Sequence, residues 1–274
     1  MRIDAHQHFW SLARGDYGWL TPDAGPLYRD YGPQDLAPLL SRNGIDRTVV
    51  VQAAPTVAET AYLTTLAQAH EVIAGVVGWV DMAADDAPSA IRALARAPKA
   101  VGIRPMIQDI ADPDWMLDDA LTPAFRALVD AGLTFDALVR PHHLAALHTL
   151  LRRHPDLRCV VDHGAKPRIA DGLIDDWAGD MDRIAAETGA YCKLSGLLTE
   201  AGRPCGLDDV APYAGRILAA FGADRVMWGS DWPVVTLAAD YDGWLAMATR
   251  LVAHLSADQQ GDVFGGTARR FYGL

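Results

Sequence analysis

Eight short apolar runs, rich in β-branched residues, recur along the chain, and longer segments separate them. Several runs are apolar at nearly every position, as in Thr48–Gln52, which reads Thr-Val-Val-Val-Gln. Strands that are covered on both faces have this composition, whereas half-exposed strands alternate between apolar and polar residues. The pattern predicts eight buried strands, at Arg2–His8, Thr48–Gln52, Ile73–Val80, Ala100–Met106, Leu133–Val139, Cys159–His163, Tyr191–Ser195 and Val226–Asp231.

Seven of the separating segments are rich in alanine and leucine and carry polar residues on one side, which predicts amphipathic helices. They are Glu59–His70, Pro88–Ala97, Pro123–Ala131, Leu144–His154, Trp177–Thr188, Asp208–Phe221 and Tyr241–Leu255. Alternation of strands and helices indicates a parallel sheet in an α/β protein, and eight such units predict a closed (β/α)8 TIM barrel. The alternative is an open doubly wound sheet. That fold would need a glycine-rich phosphate loop after an early strand, and the sequence contains none there.

The chain of 274 residues suits one such barrel, and no repeat, low-complexity segment or linker divides it. We therefore predict a single barrel domain over residues 1–274. The net charge of −11 disfavours nucleic acid and anionic membranes as partners, because both would repel the protein. The longest apolar run, residues 72–80, falls well short of the roughly 20 residues that span a bilayer.

The cysteine content and the first residues of the chain indicate in which cellular compartment the protein is expected. The three cysteines are Cys159, Cys192 and Cys205, and no Cys-x-x-Cys pair occurs. An odd number without such a pair disfavours a disulfide framework and favours a reducing compartment. The chain begins Met-Arg-Ile-Asp-Ala-His, which lacks the apolar core of a signal peptide. We expect a cytoplasmic protein, with the oligomeric state open and a homo-oligomer as one option.

Polar residues recur where the predicted strands end. In a parallel barrel the chemistry lies at the carboxyl ends of the strands, whereas the interior holds mainly valine, isoleucine and leucine. These polar ends are His6, His8, Gln52, Arg104, Asp136, His163, Lys193 with Ser195, and Asp231. Their number predicts an active site at this end of the barrel. The long irregular segment from Ser11 to Tyr31, which contains Trp19 and Tyr28, follows the first strand and is predicted to cover that end.

His6 and His8 are the first candidates for catalysis. Residues i and i+2 of a strand face the same side, so His-Gln-His directs two imidazoles to one place. The alternative is a pair of hydrogen-bonded histidines that only cap the core. A third imidazole follows strand six, where Asp162-His163-Gly164 ends a buried run. A core histidine is the alternative for His163 as well.

Two charged residues complete the predicted catalytic group. Asp231 ends the last strand in Met227-Trp-Gly-Ser-Asp-Trp-Pro233, and a carboxylate there is costly unless it is paired or catalytic. We predict that it is a general base, with a helix N-cap as the alternative. Arg104 ends strand four in Gly102-Ile-Arg-Pro105, and a guanidinium donates to a carbonyl or carboxylate. Its alternative is a structural ion pair with Asp136 or another acid.

Lysine is rare in this chain, which singles out two residues near the strand ends. Only three of the 24 lysine and arginine residues are lysine. Lys166 follows His163, and Lys193 lies in the seventh strand. We predict that both bind substrate, although Lys166 could instead face solvent.

Four segments together resemble one branch of a known superfamily: Met1-Arg-Ile-Asp-Ala-His-Gln-His-Phe-Trp10, Gly102-Ile-Arg-Pro105, Val161-Asp-His-Gly-Ala-Lys-Pro167 and Trp228-Gly-Ser-Asp-Trp-Pro233. The chain resembles the amidohydrolase-related branch of the amidohydrolase superfamily along its whole length. Within that branch it is most similar to the sugar-lactone hydrolases, the fuconolactonases and rhamnonolactonases. His-x-His and the final aspartate are common to the superfamily, whereas the Asp-His-Gly-Ala-Lys-Pro and Trp-Gly-Ser-Asp-Trp-Pro segments are more specific.

The resemblance also has implications for metals. Binuclear members carry a bridging lysine or glutamate on strand four and histidines on strands five and six, whereas this chain offers Arg104, Asp136 and His163 there. A two-metal site is therefore not expected. His6, His8, His163 and Asp231 could hold one zinc ion. Because the similar lactonases are thought to work without a metal, we expect no cofactor to be required, with adventitious or mononuclear zinc as the alternative.

The resemblance implies hydrolysis of a sugar lactone to the aldonic acid. Asp231 would activate water, and His6, His8, His163 and Arg104 would stabilise the carbonyl oxygen. The sugar would lie against a wall of polar and aromatic residues, for which the candidates are Gln52, Lys166, Lys193, Tyr28, Trp10, Trp115 and Trp232. Each tryptophan could instead belong to the core. Two further alternatives are a metal-dependent decarboxylase or hydrolase of the same superfamily, acting on a carboxylate or a non-sugar lactone, and a non-catalytic sugar-acid-binding barrel.

Overall fold

The computed structural model describes residues 1–202 and 205–274. Eight parallel strands form one sheet in the order β1 to β8. They are β1 Ile3–Gln7, β2 Arg47–Val51, β3 Ile73–Gly78, β4 Ala100–Ile103, β5 Thr134–Ala137, β6 Cys159–Val161, β7 Tyr191–Leu194 and β8 Val226–Trp228. Each strand pairs with the next in the chain, as the strand–helix alternation predicted.

Hydrogen bonds beyond the regular strands bring the last strand back to the first. The Asp231 amide donates to the His6 carbonyl at 2.8 Å, and the His8 amide donates to the Trp232 carbonyl at 2.7 Å. These bonds nearly close the sheet, and the predicted (β/α)8 barrel is confirmed. They also tie the segment that carries Asp231 to the segment that carries both histidines.

Ten α-helices are seen in the described part of the chain. They are α1 Pro33–Asn43, α2 Val57–Ala69, α3 Ala87–Leu94, α4 Thr122–Ala131, α5 Leu144–Arg153, α6 Asp175–Glu187, α7 Leu207–Phe221, α8 Tyr241–Leu251, α9 Ala257–Gly261 and α10 Thr267–Tyr272. Seven correspond to the predicted helices, and α1, α9 and α10 were not predicted. No helix among the described residues is long and apolar enough to cross a membrane.

The core has two parts, which follow from the alternation of side chains along the strands. A small cluster fills the barrel interior, with Val49 and Val51 of β2, Val77 of β3 and Met227 of β8 among its members. Residues of α10 join this cluster. A larger cluster joins the outer faces of the strands to the surrounding helices. That residues 1–274 form a single domain stays a prediction.

Candidate active site

The side chains of His6, His8, His163, Asp231 and Arg104 meet at the carboxyl ends of the strands, and all five are buried. Oδ1 of Asp231 is 3.3 Å from Nε2 of His8, 3.8 Å from Nε2 of His6 and 3.9 Å from Nε2 of His163. The structure therefore brings together all five residues for which a catalytic role was predicted. The role of each one stays a prediction.

The tautomer of His8 follows from one contact. Its Nδ1 is 2.7 Å from the carbonyl oxygen of Val51, which can only accept a hydrogen bond. Nδ1 therefore carries a proton. Burial lowers the pKa of His8, which favours a neutral ring with its lone pair on Nε2, a nitrogen that also lies 3.3 Å from Oδ1 of Asp231. That lone pair faces Nε2 of His6 at 3.2 Å.

His163 and Asp231 are both held in the left-handed backbone region, with φ of 54° and 56°. Non-glycine residues are uncommon in this region, where asparagine, aspartate and histidine are the ones most often found, and such conformations cluster at functional sites. Nδ1 of His163 is 2.8 Å from Oγ of Ser195. Gly196 is needed beside that ring, because a Cβ there would lie 2.5 Å from Nδ1 of His163.

Electrostatics give Asp231 and His163 defined charges. Burial alone would raise the pKa of Asp231, but the surrounding imidazoles, His163 first, lower it below its usual range. Burial lowers the pKa of His163 to about 4, despite the nearby carboxylates. At neutral pH the site therefore holds an aspartate anion beside neutral imidazoles. The short helix that follows Asp231 begins only at Val234, preceded by Pro233, which does not favour the N-cap alternative.

Arg104 is fixed by a reciprocal pair of bonds with the end of β2. Its Nη2 donates to the carbonyl of Gln52, and Nε2 of Gln52 donates back to the Arg104 carbonyl at 2.5 Å. Nη1 of Arg104 lies 3.3 Å from Nε2 of His6 and 3.4 Å from Oδ2 of Asp162. The guanidinium thus reaches the site while Gln52, predicted to bind substrate, holds it in place.

A buried ionic cluster lies beside His6 in the barrel. Nζ of Lys193 is 2.6 Å from Oδ2 of Asp136, 2.9 Å from Oδ1 of Asp162 and 3.1 Å from Nδ1 of His6. The hydroxyl of Tyr272 donates to Asp136 at 2.6 Å. None of these side chains is exposed to solvent. The ammonium group of Lys193 faces the His6 ring. The predicted role of Lys193 in substrate binding stays a prediction.

A cavity of about 340 Å³ opens above the catalytic group. Its lining residues are His8, Trp19, Ala53, Arg104, Met106, Gln108, Asp109, Leu138, His163, Lys166, Asp231 and Val234. Pockets of 300–1,000 Å³ with apolar walls and a few polar groups are typical of small-molecule sites. Lys166 is the one residue of the predicted substrate wall on this lining, and its Nζ is 3.7 Å from Oε1 of Glu200.

The aromatic candidates for the substrate wall lie elsewhere. Trp10 and Trp232 are buried in an aromatic cluster with Tyr31, and Trp115 packs against the core. Tyr28 is 42% exposed. Among the described residues, the cavity lining includes none of these four. Their contact with substrate stays a prediction.

Trp19 is the aromatic residue that the cavity does present. Its ring packs edge-on against Trp10 at 5.3 Å, and its Nε1 donates to the carbonyl of Ala53 at 2.9 Å. The buried carboxylate of Glu59 in turn accepts the amides of Ala53 and Ala54. The segment from Ser11 to Tyr31 was predicted to cover the site, but no residue-level signal distinguished Trp19 or Glu59.

Asp162, Gln108 and Asp109 were also not identified as site residues. Asp162 directly precedes a predicted catalytic histidine, and that adjacency was the available signal. Gln108 and Asp109 lie on a short 3₁₀ helix after β4, which nothing in the local sequence marks as part of the site.

The donor set also suits one metal ion. His6, His163 and Asp231 each offer a ligand atom, and these atoms lie within 4.8 Å of one another. Nε2 of His8, with its free lone pair, lies beside them. Imidazole nitrogen and carboxylate oxygen are the ligands that zinc takes in catalytic sites. By donor type and proximity, these four residues fit a single zinc ion.

A family model described as amidohydrolase matches residues 3–274. The chain belongs to this family. It is 50% identical to an L-fucono-1,5-lactonase of Burkholderia ambifaria over 275 residues, which cover 99% of this chain and 95% of the relative. It is 37% identical to an L-fucono-1,5-lactonase of Burkholderia multivorans over 286 residues, covering 100% of this chain and 96% of that protein. These findings confirm the resemblance to sugar-lactone hydrolases.

A solved structure adds a metal to the comparison. A crystal structure of an amidohydrolase from Burkholderia multivorans with bound zinc matches with a TM-score of 0.95 and 36% identity, covering 100% of this chain and 99% of that one. A crystal structure described as that of a probable 2-pyrone-4,6-dicarboxylic acid hydrolase from Acinetobacter baumannii matches with a TM-score of 0.82 at 16% identity, and the match covers 100% of this chain and 99% of that one. The second likeness shows the fold alone.

Proposed function

We propose that this protein hydrolyses a sugar lactone of the L-fucono-1,5-lactone type to the corresponding aldonic acid. One observation carries the proposal: Asp231, His8, His163 and Arg104 line a cavity of about 340 Å³, with His6 directly behind them, in a chain that is 50% identical to such a lactonase. A cavity of this size accommodates a single sugar ring. Its lining combines apolar side chains with Gln108, Asp109 and Lys166, as a polyol requires.

Lactone hydrolysis needs an activated water molecule and a stabilised carbonyl oxygen. Asp231 is ionised at neutral pH and lies on the cavity lining, so it can accept a proton from water. The water oxygen then attacks the lactone carbonyl carbon. Because the pKa of Asp231 is low, the carboxylate is a weak base. We therefore attribute its catalytic effect mainly to its position beside the attacking water.

The carbonyl oxygen becomes an oxyanion when water adds. Arg104 and His163 line the cavity, and His6 lies 3.3 Å from Nη1 of Arg104, so these groups can donate to that oxygen, with His8 beside them. When the intermediate collapses, the bond between the carbonyl carbon and the ring oxygen breaks. Asp231 then returns its proton to the ring oxygen, which leaves as the hydroxyl of the open-chain aldonic acid.

We propose that this reaction requires no metal or other cofactor. A lactone is an activated ester, so donors such as Arg104 can stabilise its oxyanion without a Lewis acid. If a zinc ion binds, His6, His8, His163 and Asp231 would hold it. Bound zinc would supply Lewis-acid polarisation of the carbonyl group.

We assign the substrate wall to Trp19 and Lys166, with Gln108 and Asp109 as polar contacts. The proposal does not rest on contact between the sugar and the other sequence candidates, none of which lines the cavity: Gln52, Lys193, Tyr28, Trp10, Trp115 and Trp232. We also propose that the protein acts in the cytoplasm, since Cys159 and Cys192 are both buried free thiols.

The proposal is tested with chelator-treated protein on a panel of aldono-1,4- and 1,5-lactones that includes L-fuconolactone. Acid release is followed with a pH indicator, and each rate is corrected for spontaneous hydrolysis. We expect turnover of 6-deoxy or closely related sugar lactones, with the aldonate identified by NMR. If no lactone in the panel turns over faster than it does without protein, while a carboxylate or a non-sugar lactone does so after metal is added, the metal-dependent alternative holds instead.

A further inference from the structure

Lys193 is a fully buried lysine in contact with a catalytic imidazole, and the proposed chemistry does not use it directly. Its Nζ has three close partners: Oδ2 of Asp136, Oδ1 of Asp162 and Nδ1 of His6, at 2.6, 2.9 and 3.1 Å. An ammonium group has three N–H donors and no acceptor. The contacts with Asp136 and His6 are hydrogen bonds, whereas the contact with Asp162 is an ion pair in which Oδ1 of Asp162 accepts no hydrogen bond.

The contact with Lys193 determines where His6 carries its proton. Since the ammonium can only donate, Nδ1 of His6 must accept and cannot itself be protonated. A neutral imidazole then carries its proton on Nε2. Burial and the Lys193 charge hold the pKa of His6 well below its usual range, in keeping with a neutral ring.

A second contact, independent of Lys193, gives the same tautomer. Nδ1 of His8 donates to the Val51 carbonyl at 2.7 Å, so Nε2 of neutral His8 is an acceptor. Nε2 of His6 faces it at 3.2 Å, and a hydrogen bond there requires the proton on His6. Without substrate, donation thus runs from Lys193 to His6, from His6 to His8 and from His8 to Val51, and a bound lactone carbonyl would compete with His8 for the His6 proton.

Three contacts would favour other positions of the protons, and each is longer. Oδ1 of Asp231, which can only accept, lies 3.3 Å from Nε2 of His8, against 3.2 Å between the two Nε2 atoms. Nη1 of Arg104 lies 3.3 Å from Nε2 of His6, but the same nitrogen also has Oδ2 of Asp162 at 3.4 Å. Oδ1 of Asp162 is 3.6 Å from Nδ1 of His6, too long for an ordinary hydrogen bond. The shorter contacts therefore place the proton on Nε2.

We propose that Lys193 is a positioning residue that holds His6 as the Nε2–H tautomer, which turns this ring into a hydrogen-bond donor and withholds its lone pair from metal ions. The donor role at the carbonyl oxygen rests on the proposed function. The tautomer and its effect on metal binding do not. This assignment gives Lys193 a role other than contact with the sugar.

The effect on zinc follows from the chemistry of histidine ligands. A histidine that binds zinc through one ring nitrogen almost always donates the proton on its other nitrogen to a carboxylate, carbonyl or water. Here Nδ1 of His6 faces an ammonium instead. Zinc binding by His6 through Nε2 would require the proton to move to Nδ1, towards Lys193. Lys193 therefore opposes zinc at a site whose donor atoms otherwise suit it.

The first test uses the unaltered, zinc-free protein. Histidine labelled with ¹⁵N gives ring signals that distinguish protonated from unprotonated nitrogens, and His6 is assigned by the signals that His6→Gln loses among nine histidines. We expect Nε2–H and an unprotonated Nδ1 on His6. A His6 ring protonated at Nδ1 in the zinc-free protein would overturn the proposal.

The second test removes the ammonium without changing the net charge. Lys193→Met combined with Asp136→Asn deletes one positive and one negative group and leaves Asp162 to accept a proton from Nδ1 of His6. We expect zinc, titrated against a fluorescent chelator, to bind about 10-fold or more tightly than to the wild type, since outer partners of metal ligands have effects of about 10- to 100-fold. We expect kcat for the lactone to fall by about 10- to 100-fold.

The opposite signs of these two changes exclude simple damage to the site, which would weaken both. Tyr272→Phe is the matched control, because it removes the hydrogen bond to Asp136 and leaves Lys193 and His6 in place. It should change neither the His6 tautomer nor the zinc affinity. Unchanged or weaker zinc binding by the double variant would contradict the proposal. If that variant does not fold, the tautomer in the wild type decides. The expected tautomer in a protein that hydrolyses no lactone would refute the proposed function and leave the inference intact.

Discussion

Gly229→Ala tests how closely β8 must approach β1 for the site to form. A Cβ at position 229 would lie 2.6 Å from Cβ of His6, 3.0 Å from its amide nitrogen and 3.3 Å from its Cα. Ordinary contact begins near 3.4 Å, so His6 must move by about 0.8 Å. The backbone of Gly229 cannot easily yield, because its amide donates to the Leu194 carbonyl and its carbonyl accepts from Trp244.

The expected cost has two parts. Overpacking of this kind destabilises a protein by about 1–3 kcal/mol. A catalytic group misplaced by about 1 Å can cost about 10²-fold in rate, so kcat should fall roughly 100-fold. Chemical denaturation gives the first quantity, and initial lactone hydrolysis rates give the second. Gly179→Ala is the control: it lies in α6 with nothing within 4 Å of the added Cβ, and should raise stability by about 0.5–1 kcal/mol without affecting kcat. Wild-type kcat in Gly229→Ala would refute the packing argument.

Three other predictions concern the metal, the cavity wall and a buried acid. Dialysis against a strong chelator should leave kcat within about two-fold of its value before dialysis, because Arg104 and the imidazoles stabilise the oxyanion without a metal. A large loss of kcat that added zinc restores would contradict metal independence. Trp19→Ala should raise KM about 10-fold through lost aromatic contact, with a much smaller change in kcat, whereas Trp115→Phe should alter neither; steady-state kinetics decides, and an unchanged KM would remove Trp19 from the wall. Burial raises the pKa of Glu59 from 4.5 to about 7, so the folded state binds more protons than the unfolded state between these values and stability falls as pH rises through them. Relative to Glu59→Gln, the wild type should therefore lose about 3 kcal/mol between pH 4.5 and 8 in denaturation experiments, and a pH-independent difference would show that Glu59 titrates normally.

Much of the barrel was predictable because its signals are local. The β2 run of valines, the His-x-His segment of β1 and the aspartate that follows β8 each indicate a strand that is buried along its length, with polar residues at or just beyond its end. Once eight such strands are placed in a barrel, the convergence of His6, His163 and Asp231 follows from the fold. The missed helices α9 and α10 have five and six residues, too few to show a helical period.

Pairings between distant segments were not predictable from the sequence. Lys193 meets Asp136 on β5 and Asp162 after β6, and the register of three strands decides that contact. Local sequence showed only a lysine at a strand end, which suits substrate binding as well as an ion pair. Which of the eight tryptophans lines the cavity depends on the conformation of the loops, and the local sequence does not determine that conformation. The cavity lining includes Trp19 and not Trp10.

The measurement that bears most directly on the proposed mechanism is kcat of Asp231→Asn on the lactone that the wild type prefers. Asparagine keeps the size of the side chain but cannot accept a proton, so kcat should fall by about 10²- to 10⁴-fold with the fold intact and KM little changed. Circular dichroism and product binding would establish that the variant is folded and that its cavity is preserved. An Asp231→Asn variant that retains most of its kcat would contradict the assignment of Asp231 as the base, and with it the mechanism proposed for this site.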